Sequence, residues 1–229
     1  MAAKNAIARK PAGNSKRRIF VVDDHPIVRQ GLAQLINSEP DLIVCGQGAD
    51  AYEALRAIRQ AAPDLALVDV SLKDSDGIEL LRELRSAAPN LPVLILSMHD
   101  ESLYAERALR AGAQGYIMKQ EAPQTLLSAI RKVLSGQVYV SDKMGVKLLQ
   151  RMVGGSKQGR DLPMDRLTDR ELEIFGMIGA GRSIKEIADK LFLSVKTVES
   201  HRDHIKQKLG LTSSAELLRF AIRNAPGAQ

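Results

Sequence analysis

Five polar residues each follow a short apolar run. Asp23 and Asp24 follow Ile19–Val22, Asp69 follows Leu65–Val68, Ser97 follows Pro92–Leu96, and Lys119 follows Gly115–Met118. An apolar run of this length between turn residues reads as a strand buried on both faces. The carboxyl ends of such strands are where ligands bind in an open α/β sheet. Three carboxylates brought together repel one another, so the set calls for a cation. Carboxylate, carbonyl and water ligands suit Mg²⁺. The Lys119 ammonium then serves as a point charge for an anionic group, and Ser97 can donate a hydrogen bond to it. A phosphoryl group fits both. An Asp carboxylate can attack and carry it covalently, and in that scheme Asp69 is the nucleophile, with Mg²⁺ and Lys119 stabilising the equatorial oxygens.

Each residue also has a plainer reading when taken alone. Asp23 and Asp24 could cap the helix that Pro26 opens, Asp69 could cap a turn, and Lys119 could be a surface charge. Tyr116 alone would be a half-buried ring. Their joint placement at four strand ends carries the argument for a phosphate site.

The elements that must position these groups alternate along the chain. Strands are predicted at Arg18–Val22, Leu42–Gly46, Leu65–Asp69, Pro92–Ser97 and Gly115–Lys119. Helices follow each, from Pro26, over Tyr52–Ala61, Gly77–Ser86, Leu103–Ala111 and Pro123–Leu134. Short connections between alternating strands and helices force right-handed crossovers and a parallel sheet. With the order 2-1-3-4-5, the chemical residues converge at the switch point between strands one and three. The expected fold is therefore α/β, a doubly wound five-stranded parallel sheet, followed by an all-α four-helix unit.

Asp142–Val153 reads as a connecting helix and Gly154–Gly159 as a flexible Gly/Ser-rich linker. Leu167 to Arg223 has no strand pattern and reads as four short helices. Three open with a capping box, Thr168 with Glu171, Ser183 with Glu186, and Ser213 with Glu216, while Ser194 caps Val195–Leu209. Gly181 and Gly210 are placed to end helices. The predicted divisions are a disordered basic tail at 1–17, a phosphoacceptor unit at 18–136, a connecting helix and linker at 137–164, and a helical unit at 165–224.

Composition narrows the classes. The chain has 229 residues, 45% of them hydrophobic, and a net charge of +6. No apolar run approaches the roughly 18 residues of a membrane span, and the first residues lack the apolar segment of a secretory signal. Cys45 is the one cysteine, so neither an intrachain disulfide nor a thiolate metal cluster forms. A cytoplasmic protein without membrane contact is expected. Charge is uneven. Residues 1–18 carry six Lys/Arg and no acid, residues 19–141 carry 11 basic against 16 acidic, and residues 142–229 carry 16 basic against 11 acidic. An acidic front and a basic back fit two domains, the second facing a polyanion.

In the second unit, Ser183–Leu191, the turn Phe192-Leu193 and Val195–Leu209 have the proportions of a helix-turn-helix. On the longer helix Val198, Ile205 and Leu209 share a face with His201. Lys196, Glu199, Ser200, Asp203 and Lys206 lie opposite, fit for the major groove of double-stranded DNA. Lys196, Thr197, Arg202, Lys206 and Lys208 can contact phosphates, while Glu199, Ser200 and Asp203 can select bases. Periodicity alone also fits a helical bundle with a solvated face. His201 reads as a core or backbone contact, with no ligand cluster around it.

Two resemblances sharpen this. Val21-Val22-Asp23-Asp24-His25, Leu67-Val68-Asp69, Leu96-Ser97 and Gly115-Tyr116-Ile117-Met118-Lys119 resemble the receiver domain of two-component response regulators. The resemblance implies that Asp69 takes phosphate from the phosphohistidine of a sensor histidine kinase. It implies that Asp24 binds Mg²⁺ directly, helped by Asp23, Asp69 and the Ser71 carbonyl, and that Ser97 and Tyr116 form the switch. The chain departs from the family at Leu72-Lys73-Asp74, where Met-Pro-Gly is common, and at Gln120, where many members carry Pro. Leu167-Thr168-Asp169-Arg170-Glu171, Lys185-Glu186-Ile187-Ala188 and Ser194-Val195-Lys196-Thr197-Val198-Glu199-Ser200-His201 resemble the LuxR-type DNA-binding domain of NarL/FixJ regulators. In that family the last helix can form the dimer contact, here through Leu217, Leu218 and Ala221.

The resulting expectation is a transcriptional regulator switched by phosphorylation, homodimeric when phosphorylated, with RNA polymerase a further partner, and not a multiple-turnover enzyme. A Mg²⁺-dependent phosphohydrolase of the haloacid-dehalogenase type is a rival, but it would carry its nucleophile after the first strand. A DNA-binding module with an inert receiver is another.

Overall fold

The computed structural model describes residues 16–72, 75–98, 101–153 and 163–224. The basic tail up to residue 15, the Lys73-Asp74 departure and the Gly154–Gly159 linker lie outside the described residues.

Five parallel strands form the main sheet: β1 (Arg17–Val22), β2 (Leu42–Gly48), β3 (Leu65–Asp69), β6 (Val93–Ser97) and β7 (Gly115–Met118), in the order β2-β1-β3-β6-β7. This is the predicted order once two short intervening strands are counted. Successive strand residues point to opposite faces, and the sequence uses both. On one face Ile19, Val21, Leu65, Leu67, Leu94 and Leu96 pack with Leu32 and Ile36 of α1 (Pro26–Asn37) and Leu127 and Ile130 of α5 (Pro123–Leu134). On the other, Phe20, Val22, Ala66, Val68, Val93 and Ile95 meet Ile58 of α2 (Ala51–Ala61), Leu81 and Leu84 of α3 (Gly77–Ala87) and Tyr104 of α4 (Glu101–Arg110). A sheet covered on both sides explains the unbroken apolar runs and leaves its carboxyl edge for polar groups.

The third strand closes at Asp69 as expected, but the segment after it holds a hairpin that the sequence did not signal. There β4 (Ser71–Leu72) folds back antiparallel on β5 (Ser75–Asp76). Gly77 then donates its N–H to the Val70 carbonyl at 3.0 Å. A Cβ at Gly77 would stand 2.4 Å from the Asp69 carbonyl oxygen, so only glycine allows this approach.

The connecting helix α6 (Asp142–Val153) is tied to the sheet edge. The Tyr116 N–H donates to Tyr139 O at 2.9 Å, the Ser141 N–H donates to Glu101 Oε1 at 2.7 Å, and the Ser141 hydroxyl also bonds the Glu101 carboxylate. Met144 of α6 is buried.

A 3₁₀ turn (Pro163–Arg166) leads to α7 (Asp169–Gly179), α8 (Ile184–Leu191), α9 (Val195–Leu209) and α10 (Ser214–Asn224). Thr168 with Glu171 and Ser183 with Glu186 make the predicted reciprocal capping boxes, and the Ser194 hydroxyl accepts from Thr197 N–H. The third box departs from prediction. Ser213 Oγ accepts from Glu216 N–H, but the Glu216 carboxylate reaches back to Thr212, taking its N–H and its hydroxyl at 2.8 Å each. Gly210 ends α9 in the left-handed region, and Phe192 ends α8 there too, with φ of 55°.

The predicted dimer face of α10 needs correction. Leu217 and Ala221 are fully buried in the chain's own core, where α10 packs on α7 and Phe220 lies 6.0 Å from Phe175 between ring centroids. Of the three residues predicted, only Leu218 faces solvent, with Ile222 one turn on. Spacing identified an apolar stripe correctly, but not that α7 covers it.

Candidate functional site

The strand ends bring Asp23, Asp69 and Lys119 into one cluster. Lys119 Nζ stands 2.6 Å from Asp23 Oδ2 and 2.8 Å from Asp69 Oδ2. Asp23 and Asp69 are 0% and 2% exposed. Asp23 Oδ1 accepts from the His25 N–H at 2.8 Å, and Asp69 Oδ1 accepts from the Ser71 N–H at 3.1 Å. The ammonium therefore joins the two carboxylates in the arrangement described, rather than waiting as a detached point charge.

Asp24 sits at the rim. Its Oδ1 is buried, and it lies 2.6 Å from His25 Nδ1 without the alignment of a hydrogen bond. Oxygens of Asp23, Asp24 and Asp69 and a ring nitrogen of His25 all fall within 4.8 Å of one another. A buried carboxylate oxygen without a hydrogen-bond donor, beside two further carboxylates, fits the hard oxygen ligands of Mg²⁺. His25 and Arg29 were not singled out from the sequence. The Arg29 guanidinium donates to the Asp23 carbonyl and holds the acidic turn. Its place one turn into α1 is visible in the sequence, but nothing in that spacing points it back at the loop.

Burial raises the Asp69 carboxyl above its ordinary range, against the opposing pull of Lys119. For Lys119, burial alone would lower the ammonium, but the charges and hydrogen bonds of Asp69 and Asp23 outweigh it and the net direction is upward. An ion pair buried this deeply needs both partners.

Ser97 is fully buried at the end of β6, and its carbonyl accepts from the Lys119 N–H at 2.7 Å. Tyr116 is fully buried as well, not half-buried. It pairs across to Ile95 and, through Tyr139, touches the segment leading to α6. Ser71 supplies its amide to Asp69 from the start of the hairpin.

On α9, Lys196, Glu199, Ser200 and Asp203 are exposed on one face, and Val198 and Ile205 are buried on the other. Thr197 is half-buried, with its Oγ1 2.7 Å from Ser194 Oγ. Arg202 is half-buried and its Nε has no hydrogen-bond partner among the described residues. Lys206 pairs with Asp203 at 2.9 Å, an i,i+3 contact that lowers the Asp203 carboxyl. Lys208 is a correction to the predicted phosphate contacts. Its ammonium is 2.6 Å from the buried carboxylate of Glu171 and joins α9 to α7. His201 also departs from its reading as isolated, because Glu171 and His204 offer ligand atoms beside it. Burial pushes the His201 imidazole down, only partly opposed by Glu171.

Residues 19–131 match the family model of the response regulator receiver domain, and residues 165–221 that of bacterial regulatory proteins of the LuxR family. The oxygen regulatory protein NreC of Staphylococcus carnosus is 38% identical over 210 residues, which are 90% of this chain and 97% of that protein. NreC of Staphylococcus aureus strain MRSA252 is 39% identical with the same coverage. Among solved structures, a LuxR-family two-component response regulator from Aurantimonas is 38% identical with a TM-score of 0.57, covering 61% of this chain and 99% of that one. RcsB from Salmonella enterica serovar Typhimurium, bound to a promoter in the presence of phosphomimetic BeF₃⁻, is 25% identical with a TM-score of 0.56, covering 90% of this chain and 98% of that one. Among the described residues no helix is long and apolar enough to cross a membrane.

Proposed function

Since the chain belongs to the response regulators that couple a receiver domain to a LuxR-type DNA-binding domain, we propose that it is a transcriptional regulator switched by phosphorylation of Asp69. The observation that carries this is the Lys119 ammonium joining Asp23 and Asp69 at the carboxyl edge of the sheet. The phosphoryl donor is the phosphohistidine of a sensor histidine kinase. An oxygen of Asp69 attacks phosphorus, the P–N bond breaks, and the imidazole leaves with the electron pair and takes up a proton. Asp23, Asp24, Asp69 and the Ser71 carbonyl would hold Mg²⁺, which neutralises charge on the transferring group. Lys119 exchanges its contact with Asp69 for a phosphoryl oxygen, and Ser97 turns its hydroxyl to another. Tyr116 follows Ser97, and its link through Tyr139 leads to α6.

In the second unit α9 enters the major groove of double-stranded DNA. Lys196, Thr197, Arg202 and Lys206 contact phosphates, and Glu199, Ser200 and Asp203 face base edges. The phosphorylated form is a homodimer to which Leu218 contributes, and RNA polymerase is a further partner. The working divisions are 18–136 for the receiver, 137–164 for the connection and 165–224 for the DNA-binding domain. The chain acts in the cytoplasm, as a switch and not as a multiple-turnover enzyme. Incubation with acetyl phosphate and Mg²⁺ tests the reading. Acid-labile phosphate appears on the wild type and not on Asp69→Asn, and label that persists on the variant refutes the assignment.

A further inference from the structure

Away from the receiver, a buried carboxylate and two imidazoles meet between α7 and α9. We propose that Glu171, His201 and His204 form a binding site for a divalent transition ion of the zinc class. One ligand atom from each falls within 4.8 Å of the others. Glu171 is 3% exposed. Its Oε2 accepts from the Thr168 N–H at 2.7 Å and from Lys208 Nζ at 2.6 Å, which leaves Oε1 without a hydrogen bond among the described residues. His201 is half-buried, yet its ring also makes no hydrogen bond among the described residues, and neither does that of His204. An unbonded oxygen of a buried glutamate and a half-buried imidazole without hydrogen bonds, facing a second imidazole, are what an ion of this class would satisfy.

The donor set selects the ion. Two imidazole nitrogens and one carboxylate oxygen, with a position left for water, suit Zn²⁺, whereas Mg²⁺ requires an oxygen shell. Bonds of about 2.0–2.1 Å put tetrahedral ligands roughly 3.3 Å apart, so the three atoms must close by no more than about 1.5 Å. His204 is exposed and three residues from His201 on the same helix, so rotation of its side chain supplies that movement. Lys208 and Arg170 both set positive charge near His201 and weaken the site. Lys208 is on the other carboxylate oxygen and is 36% exposed, so its long chain is free to lean into solvent. The affinity expected is micromolar. The bound ion would pin α7 to the helix proposed to read DNA, while Lys196, Ser200 and Asp203 stay outward.

The test uses the full chain, stripped of metal, in excess Mg²⁺ so that the receiver aspartates are already occupied. Zn²⁺ is titrated calorimetrically into the wild type and into His204→Asn, an exposed change whose fold is checked by circular dichroism. One Zn²⁺ is expected on the wild type, bound at least about tenfold more weakly by the variant. Ring ¹⁵N resonances of both His201 and His204 should shift with Zn²⁺ in the wild type. Identical isotherms for the two proteins would place the ion elsewhere and overturn the proposal, as would no binding by the wild type.

Discussion

Replacing Lys119 by Met removes the charge that joins Asp23 to Asp69 and keeps most of the side-chain bulk. The lysine is 11% exposed and its partners 0% and 2%, so solvent screens the loss very little. Breaking a buried pair by removing one partner costs about 3–5 kcal/mol. Protonation sets a ceiling of similar size. Holding an Asp of ordinary pKa ~3.9 in its neutral form at pH 7 costs about 4 kcal/mol. If a captured proton is what relieves the variant, the deficit shrinks by about 1.4 kcal/mol for each pH unit below 7. Mg²⁺ should shrink it as well, because a cation returns to the carboxylates. The wild type has its own pH dependence. Asp69 is raised in the folded chain, so stability falls as pH rises from 3.8 through its folded value. Lys119 is raised too, so its contribution is complete below 10.5 and is lost only as pH rises through its folded value. Urea unfolding read by near-ultraviolet circular dichroism reports on the receiver, because Tyr52, Tyr104 and Tyr116 lie in it, the fourth tyrosine, Tyr139, is hydrogen-bonded to its edge strand, and the chain has no tryptophan. A variant within about 1 kcal/mol of wild type at pH 7 without Mg²⁺, measured against the 3–5 expected, would refute this reasoning, and so would a deficit that grows on acidification.

Ser97→Ala should leave Asp69 open to phosphorylation yet uncouple it from DNA affinity, read by gel shift with and without acetyl phosphate. Lys206→Ala should weaken all DNA sequences alike, and because Lys206 already pairs with Asp203, the salt slope should fall by about one or less. Glu199→Ala should relax preference at one base position by about 1–3 kcal/mol, measured over a randomised duplex library with fragment 142–229. Leu218→Glu should lower dimer content after phosphorylation without unfolding the domain, since that side chain faces solvent, and sedimentation velocity would show it.

The five main strands and their order were legible because a strand covered on both faces needs a continuous apolar run. The polar residues ending those runs marked the site for the same reason. The β4–β5 hairpin was not legible, since two-residue strands carry no period. Phe192 in a left-handed cap was missed because glycine or asparagine normally signals that conformation. Leu217, Ala221 and Lys208 show another limit. Spacing says which residues share a face of a helix, but it cannot say that α7 already covers that face or that Glu171 lies within reach. His25 and Arg29 fall in the same class, since their roles come from a turn that folds back on the strand end.

The two halves of the chain also differ in how far apart their contacts lie. Sheet pairing joins Ile19 to Leu65 and Ala66 to Val93, so distant segments must meet before the receiver gains stability. Around α7, α8 and α9, each helix begins with a hydroxyl that caps it within three residues. Local contacts of this kind fold faster than crossover-linked parallel strands. During synthesis the slower half is made first. At roughly 5–20 residues per second, translation of residues 136–229 gives the receiver about 5–20 s in which to assemble before the fast-folding helices are complete.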